Sequence, residues 1–324
     1  MAFGAPSVPD LSNSAQGNAM KHARVVFLSA CLALAVGSVR AGMPPVPGTP
    51  QHPPVAAAHA PDRASMQTMQ IPSHGELMNA LVYIAAGAGP HPVVILLHGF
   101  PGNERNLDLA QDMRRAGWDV LYFNYRGSWG TPGDFSFAHS IEDTGAAIAY
   151  LRQPEVARSL RLDPNRIVLI GHSMGGFMTV EAAAADPAIK AFATISAADM
   201  SGRMQAMLAM EKRSDAIAAM AHGLAEEGMA PLAGCTPDGL ARELADHAMS
   251  WPFLDKVDAL KNRNALILTA DDGLTRENNA FAAALRNAGD THVTTRHFAT
   301  DHAYSDKRIE LSHAVLAWLA GLPK

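Results

Sequence analysis

The chain has 324 residues, of which 48% are hydrophobic and 18% charged, and a formal net charge of -5. This is a globular composition with ample material for a core, long enough for one large or two small domains. The charge balance gives no basis for binding nucleic acid or an anionic membrane surface.

The front of the chain differs from the rest. Residues 1–19 are polar and carry no periodic pattern. Met20-Lys21-His22-Ala23-Arg24 then gives a basic start, Val25 to Gly37 an apolar run, and Val39-Arg40-Ala41 a small-residue cleavage pattern. Together they read as a secretory signal peptide cleaved after Ala41, with Met20 the real start and an upstream extension before it. The apolar run is too short to span a bilayer, so no stable membrane span remains after cleavage and the expected location is periplasmic or secreted. Leu28-Ser29-Ala30-Cys31 offers a competing lipoprotein processing box. Cleavage after Ala41 removes Cys31 and leaves Cys235 alone, so export here implies no internal disulfide. Residues 42–64 are rich in Pro and Ala and form an expected extended linker.

From Ser65 to the end the pattern is that of one folded domain. Ser65 to Ile71 and Glu76 to Ile84 alternate as two antiparallel strands around Pro72-Ser73-His74-Gly75. Pro92 to Leu97 is apolar on both faces, as a central parallel strand must be. A helix from Asn103 to Ala116 and a strand from Asp119 to Tyr125 follow. Ser140 with Asp143 predicts the opening of the next helix by a capping pair. Ile189–Ser196, Ala265–Ala270 and His292–Phe298 are further strands, and Arg308 to Leu319 a closing amphipathic helix. Strands alternating with helices predict an α/β fold with a mostly parallel, twisted sheet flanked by helices. Residues from about 198 to 257 are too many for one crossover. Their helix-forming, methionine-rich composition predicts a helical cap over the C-terminal edge of the sheet. There Met200, Met204, Met207, Met210, Met220, Met229 and Met249 serve either as core filler or as an adaptable apolar wall for an acyl group.

The chemistry concentrates at Ile167-Val168-Leu169-Ile170-Gly171-His172-Ser173-Met174-Gly175-Gly176. An apolar strand ends in G-H-S-M-G and an Ala-rich helix follows at once, the pattern of a nucleophile elbow with Ser173 at its apex. A serine hydroxyl needs a base and the base an orienting carboxylate, and after an elbow the expected order is Ser, Asp, His. Thr269-Ala270-Asp271-Asp272-Gly273 supplies two carboxylates beyond a late strand. Asp272 is preferred, because Asp271 is nearer the strand end and better placed to cap or turn the loop. His302 stands between the last strand and the last helix, where the base belongs. His297 and His313 lie within those elements and read as structural, and His98 and His172 as packing around the site. The oxyanion donors are expected from the N–H groups of Met174, directly after the nucleophile, and of Phe100 in His98-Gly99-Phe100-Pro101-Gly102. No metal-ligand spacing or cofactor motif is apparent.

At these residues the chain resembles the α/β-hydrolase superfamily, from Ser65 to the end. His98-Gly99-Phe100-Pro101-Gly102, Gly171-His172-Ser173-Met174-Gly175, Asp272 and His302 match that family's motifs in order. Asn124 to Gly130 and Asp301 to Asp306 are similar to the esterase and peptidase branch that includes the prolyl oligopeptidase catalytic domain. The chain departs from those peptidases in leaving no room for an N-terminal propeller. It also has Phe100 where they often add a phenol to the oxyanion hole. The resemblance implies a serine hydrolase without cofactor acting on small-molecule carboxylic esters. A peptidase cleaving short peptides, an acyltransferase with the same triad and a non-catalytic binding protein are the alternatives. Glu226 and Glu227 would supply an amine site for a peptidase, or else form a solvated helix face.

Overall fold

The strand that carries Ile95 decides the architecture. Its side chains alternate between two apolar faces, so both faces must be covered. A computed structural model describes residues 63–323 and shows how that is done. The expected signal peptide and all but the last two residues of the linker lie outside the described residues.

In chain order the elements are β1 (Ser65–Ser73), β2 (Glu76–Ile84), β3 (His91–Leu97), α1 (Leu107–Arg115), β4 (Asp119–Phe123), α2 (Phe137–Leu151), α3 (Pro154–Leu160), β5 (Leu162–His172), α4 (Met174–Ala185) and β6 (Ala191–Ile195). Then come α5 (Met200–Met210), α6 (Arg213–Glu226), α7 (Pro237–Asp246), a 3-10 turn at Phe253–Lys256, α8 (Val257–Leu260), β7 (Asn264–Ala270), α9 (Thr275–Asn287), β8 (Val293–Phe298) and α10 (Arg308–Ala320). The strands form one sheet in the order β1-β2-β4-β3-β5-β6-β7-β8. The pairs β1–β2 and β2–β4 are antiparallel and the rest parallel.

Val93, Ile95 and Leu97 enter one core with Leu169, Phe177 and Phe192, under α2, α4 and α9. Val94 and Leu96 enter the other with Val168, Ile170 and Leu268, under α1 and α10. Each such fully buried aliphatic side chain contributes about 1.5–3 kcal/mol. Among the described residues no helix is long and apolar enough to cross a membrane.

Two expectations about helix starts are corrected. The second helix begins at Phe137, capped by the Ser136 hydroxyl, which accepts from the His139 N–H at 3.0 Å. Ser140 and Asp143 therefore lie inside the helix and are fully buried. Asp143 is taken by a distant network instead: its carboxylate accepts from Ser73 Oγ at 2.6 Å, Arg126 Nε at 2.6 Å and the Arg126 N–H at 2.8 Å. Likewise α1 begins at Leu107 rather than Asn103, because residues 98–106 form a fastened loop that packs beside Ser173. The strand into the elbow also starts earlier, at Leu162, and runs through Pro164 and Asn165.

The segment after β6 is helical. Met200 and Met204 are buried, Met207, Met220 and Met229 pack partly against the core, and Met210 and Met249 stand exposed. Its loop after α6 bridges to the loop after β4: Ala233 N donates to Gly127 O at 2.7 Å, and Phe135 N to Ala233 O at 2.9 Å.

Candidate active site

The turn between β5 and α4 exists because glycines surround it. A Cβ on Gly171 would collide with the Gly175 carbonyl, and one on Gly175 with the Leu97 and His98 carbonyls. Without these side chains the turn closes, and Ser173 sits at its apex with φ 57° and ψ -124°. That backbone region is sparsely populated for a residue with a Cβ and persists only where its surroundings over-determine it. Here they do: Ser173 N donates to Ile195 O at 3.0 Å, and Ser173 O accepts from Gly176 N at 2.9 Å and Ala198 N at 3.1 Å. The hydroxyl is left half-buried at the N-terminus of α4, whose dipole favours negative charge nearby.

The loop after β3 closes on the same spot. Gly99 lies so near the nucleophile position that an added Cβ would stand 2.9 Å from Ser173 Cβ and 3.4 Å from its Oγ. This loop is held from below. Tyr125 Oη donates to His98 O at 3.2 Å, Trp129 Nε1 to Pro101 O at 2.7 Å, and Arg105 lies over the Trp129 ring at 4.1 Å. Neither the Phe100 N–H nor the Met174 N–H is hydrogen-bonded within the described residues. The Phe100 ring itself turns to Phe135 and Phe137.

Asp272 and His302 come together from the ends of β7 and β8. His302 Nδ1 donates to Asp272 Oδ2 at 2.9 Å, leaving Nε2 as the basic nitrogen. The Asp272 side chain is 3% exposed and that of His302 41%. Burial alone would raise the Asp272 pKa, but hydrogen bonds from His302 and the Leu274 N–H oppose it, and the carboxyl is held at about 2. The neighbouring Asp271 faces solvent and pairs with His297 at 3.1 Å. Of the two carboxylates, only Asp272 reaches His302.

His172 and His98 are buried supports. His172 Nε2–H donates to His302 O at 2.8 Å, with the two rings 4.6 Å apart. His98 Nδ1–H donates to Gly99 O at 2.8 Å. Burial, with smaller help from the charge of His302, lowers His172 to about 3, and burial lowers His98 to about 4, so both are neutral at neutral pH. His313 is exposed, as are Glu226 and Glu227; Glu226 pairs with His222 at 3.5 Å, a solvated helix face.

Two features near the site have no local sequence signal. Ser196, directly after β6, and Tyr304, two residues beyond His302, are fully buried, their hydroxyls 3.0 Å apart. A cavity of about 520 Å³ also opens between Asn103–Asp108 and Ala303, Ser305 and Arg308. Among the described residues no group of three His, Cys, Asp or Glu could hold a metal ion.

This sheet order, elbow and loop arrangement define an α/β hydrolase. The sequence profile of the alpha/beta hydrolase family matches residues 94–314, and the chain belongs to that family. The quorum-quenching protein AidA of Acinetobacter baumannii is 33% identical over 125 residues, 36% of this chain and 39% of that protein, so the likeness spans about two-fifths of the relative. Among solved structures, a thermostable carboxyl esterase from Bacillus coagulans superposes with a TM-score of 0.61 at 15% identity, covering 79% of this chain and 98% of that one. An esterase from Rhizomucor miehei gives 0.59 at 20% identity, with 80% and 83% covered. At these identities the structures share the fold.

Proposed function

We propose that the protein is an exported serine hydrolase that cleaves carboxylic esters through an acyl-enzyme. Ser173 attacks the carbonyl carbon while His302 Nε2 takes its proton, and Asp272 holds the imidazole tautomer and stabilises the imidazolium. The N–H groups of Phe100 and Met174 receive the tetrahedral oxyanion. Collapse expels the alcohol with the proton from His302. Water then attacks the acyl-enzyme by the same route and releases the acid. What supports this reading is Ser173 in its strained turn beside Gly99, followed in the fold by His302, which is bonded to the buried Asp272 and, through its carbonyl, to His172, the residue before the serine. Esterase neighbours of the same fold support it. Export rests on the pattern from Met20 to Ala41 alone.

A fluorophosphonate probe tests the role of Ser173. Labelling should map to Ser173 and vanish in Ser173→Ala, with loss of at least about 10³-fold in ester turnover. Ser173→Ala with undiminished turnover would overturn the reading.

The likeness to a quorum-quenching protein favours a second reading of the substrate: hydrolytic inactivation of an ester- or lactone-bearing signal by the same residues. Loss of signal activity on incubation with the wild type, but not with Ser173→Ala, would support it.

A further inference from the structure

We infer that Glu277 and Asn278, in the first turn of α9, are positioning residues for Ser173: they hold residues 197–199, the segment whose N–H pins the carbonyl of the strained serine. This inference rests on the hydrolase reading above.

Asn278 is fully buried. Its amide nitrogen donates to Ala197 O at 2.7 Å and to Leu274 O at 2.9 Å. Both partners are carbonyls, which only accept, so the nitrogen must face them, and turning the amide over would lose both bonds. One residue earlier, Glu277 Oε1 accepts from the Asp199 N–H at 2.9 Å, and Arg203 stands 3.9 Å from Oε2. Residues 197–199 are thus held from α9 at two successive peptide groups.

The peptide group joining Ala197 to Ala198 is where this hold reaches Ser173. It is trans and planar, so its C=O and N–H point in opposite directions. Asn278 fixes the carbonyl end and thereby the N–H end, which donates to Ser173 O at 3.1 Å. The two bonds also polarise one another through the shared amide. Ser173 needs such a hold, because φ 57° and ψ -124° is a conformation that its surroundings must enforce. The segment is also in close contact with the elbow helix. A Cβ on Gly176 would stand 2.4 Å from Ala197 Cβ, so residue 197 lies directly against the first turn of α4. Leu274, whose carbonyl Asn278 takes, donates its own N–H to Asp272 Oδ1 at 3.0 Å. One side chain therefore spans the loop carrying Asp272 and the segment that pins Ser173.

Asn278→Ala should lower kcat for ester hydrolysis, and the rate at which a fluorophosphonate labels Ser173, about 10- to 100-fold. KM should stay within about twofold, because a displaced serine slows the chemical step rather than binding. Hydrogen–deuterium exchange should show the Ala198 amide exchanging at least about tenfold faster than in the wild type, with β3 and β5 unchanged. Ser312→Ala, which removes a hydrogen bond to Asp112 on the other face of the sheet, is the control for lost stability. At a comparable fall in melting temperature its kcat should stay within about twofold of wild type. Glu277 supplies a rescue. Glu277→Ala should lower kcat about three- to tenfold, and Glu277→Gln should return it to within about twofold of wild type, since an amide oxygen accepts from the Asp199 N–H as a carboxylate does.

Unchanged exchange at Ala198, or kcat and labelling that fall no more in Asn278→Ala than in Ser312→Ala, would overturn the inference. If Asn278→Ala fails to fold, equal activity in Glu277→Ala and Glu277→Gln would overturn it. Wild type that is not labelled at Ser173 would instead refute the hydrolase reading, and exchange at Ala198 would still decide whether α9 holds the segment.

Discussion

The imidazole of His172 lies against that of His302, ring centroids 4.6 Å apart, and donates through Nε2 to the His302 carbonyl at 2.8 Å. The residue before Ser173 thereby fixes the backbone of the proposed base, His302. Because burial keeps His172 neutral, it does so without placing a cation beside the imidazolium that must form. His172→Phe keeps a ring and removes the donor. Steady-state kinetics should show kcat/KM reduced about tenfold, the size of one lost neutral hydrogen bond with slight misplacement of the base. Unchanged kinetics would mean that the 299–307 loop holds His302 unaided.

The two adjacent aspartates should separate cleanly. Asp272→Asn is expected to lower kcat by roughly 10⁴-fold, since an amide can impose the wrong imidazole tautomer. Asp271→Asn, at a solvent-facing side chain paired only with His297, should stay within about twofold of wild type. Comparable losses in both variants would contradict the assignment of Asp272.

Gly99 is the point where the loop after β3 comes closest to Ser173, the proposed nucleophile. In Gly99→Ala the new methyl would stand 2.9 Å from Ser173 Cβ, closer than such contacts allow, so Ser173 or the Phe100 N–H must move. A displacement of this size should reduce kcat about 10²-fold while circular dichroism and melting stay near wild type. Gly175→Ala, facing backbone carbonyls on strand β3 that cannot yield, should instead fail to fold.

Stability should respond to pH in two regimes. His98 and His172 titrate at about 4 and 3 when folded, against 6.5 unfolded, so below about pH 6.5 the unfolded chain binds more protons and these groups destabilise the fold. Burial raises Asp119, Glu181 and Glu277 to about 7, and these act oppositely: the folded chain holds protons that the unfolded chain has released. Three carboxyls against two imidazoles make stability rise modestly as pH falls from about 6.5 to 5. Below about pH 4 the unfolded carboxyls are protonated too and that compensation ends. Asp272, held at about 2, then joins the histidines, because its stabilisation is lost as pH falls through the folded pKa. Melting temperature measured across this range should show a shallow rise and then a steep acid fall. A uniform decline from pH 6.5 would contradict the carboxyl assignments.

Much of this was legible in the sequence, and the reasons are local. The glycines flanking Ser173 and the apolar strand before it specify an elbow within ten residues, and chain order then points to the loops carrying Asp272 and His302. The unbroken apolar run from Val93 through Leu97 marks a central strand without reference to anything else. What escapes is non-local. Asp143 looks like a helix cap beside Ser140, but Ser73 and Arg126 claim its carboxylate from 70 and 17 residues away. Ser196 and Tyr304 meet across 108 positions, and no spacing rule links a serine after one strand to a tyrosine after another. Helices α3 and α9 carry no side-chain cap hydrogen bond at their starts, so no capping signal announces them.

The most direct test of the central claim is hydrolysis of a p-nitrophenyl ester series from C2 to C12 beside an aminoacyl-p-nitroanilide panel, with wild type and Ser173→Ala in parallel. The proposed mechanism predicts ester turnover that greatly exceeds anilide turnover and disappears in Ser173→Ala, with a chain-length optimum that sizes the acyl pocket. Anilide turnover exceeding ester turnover, or ester turnover undiminished in Ser173→Ala, would contradict it.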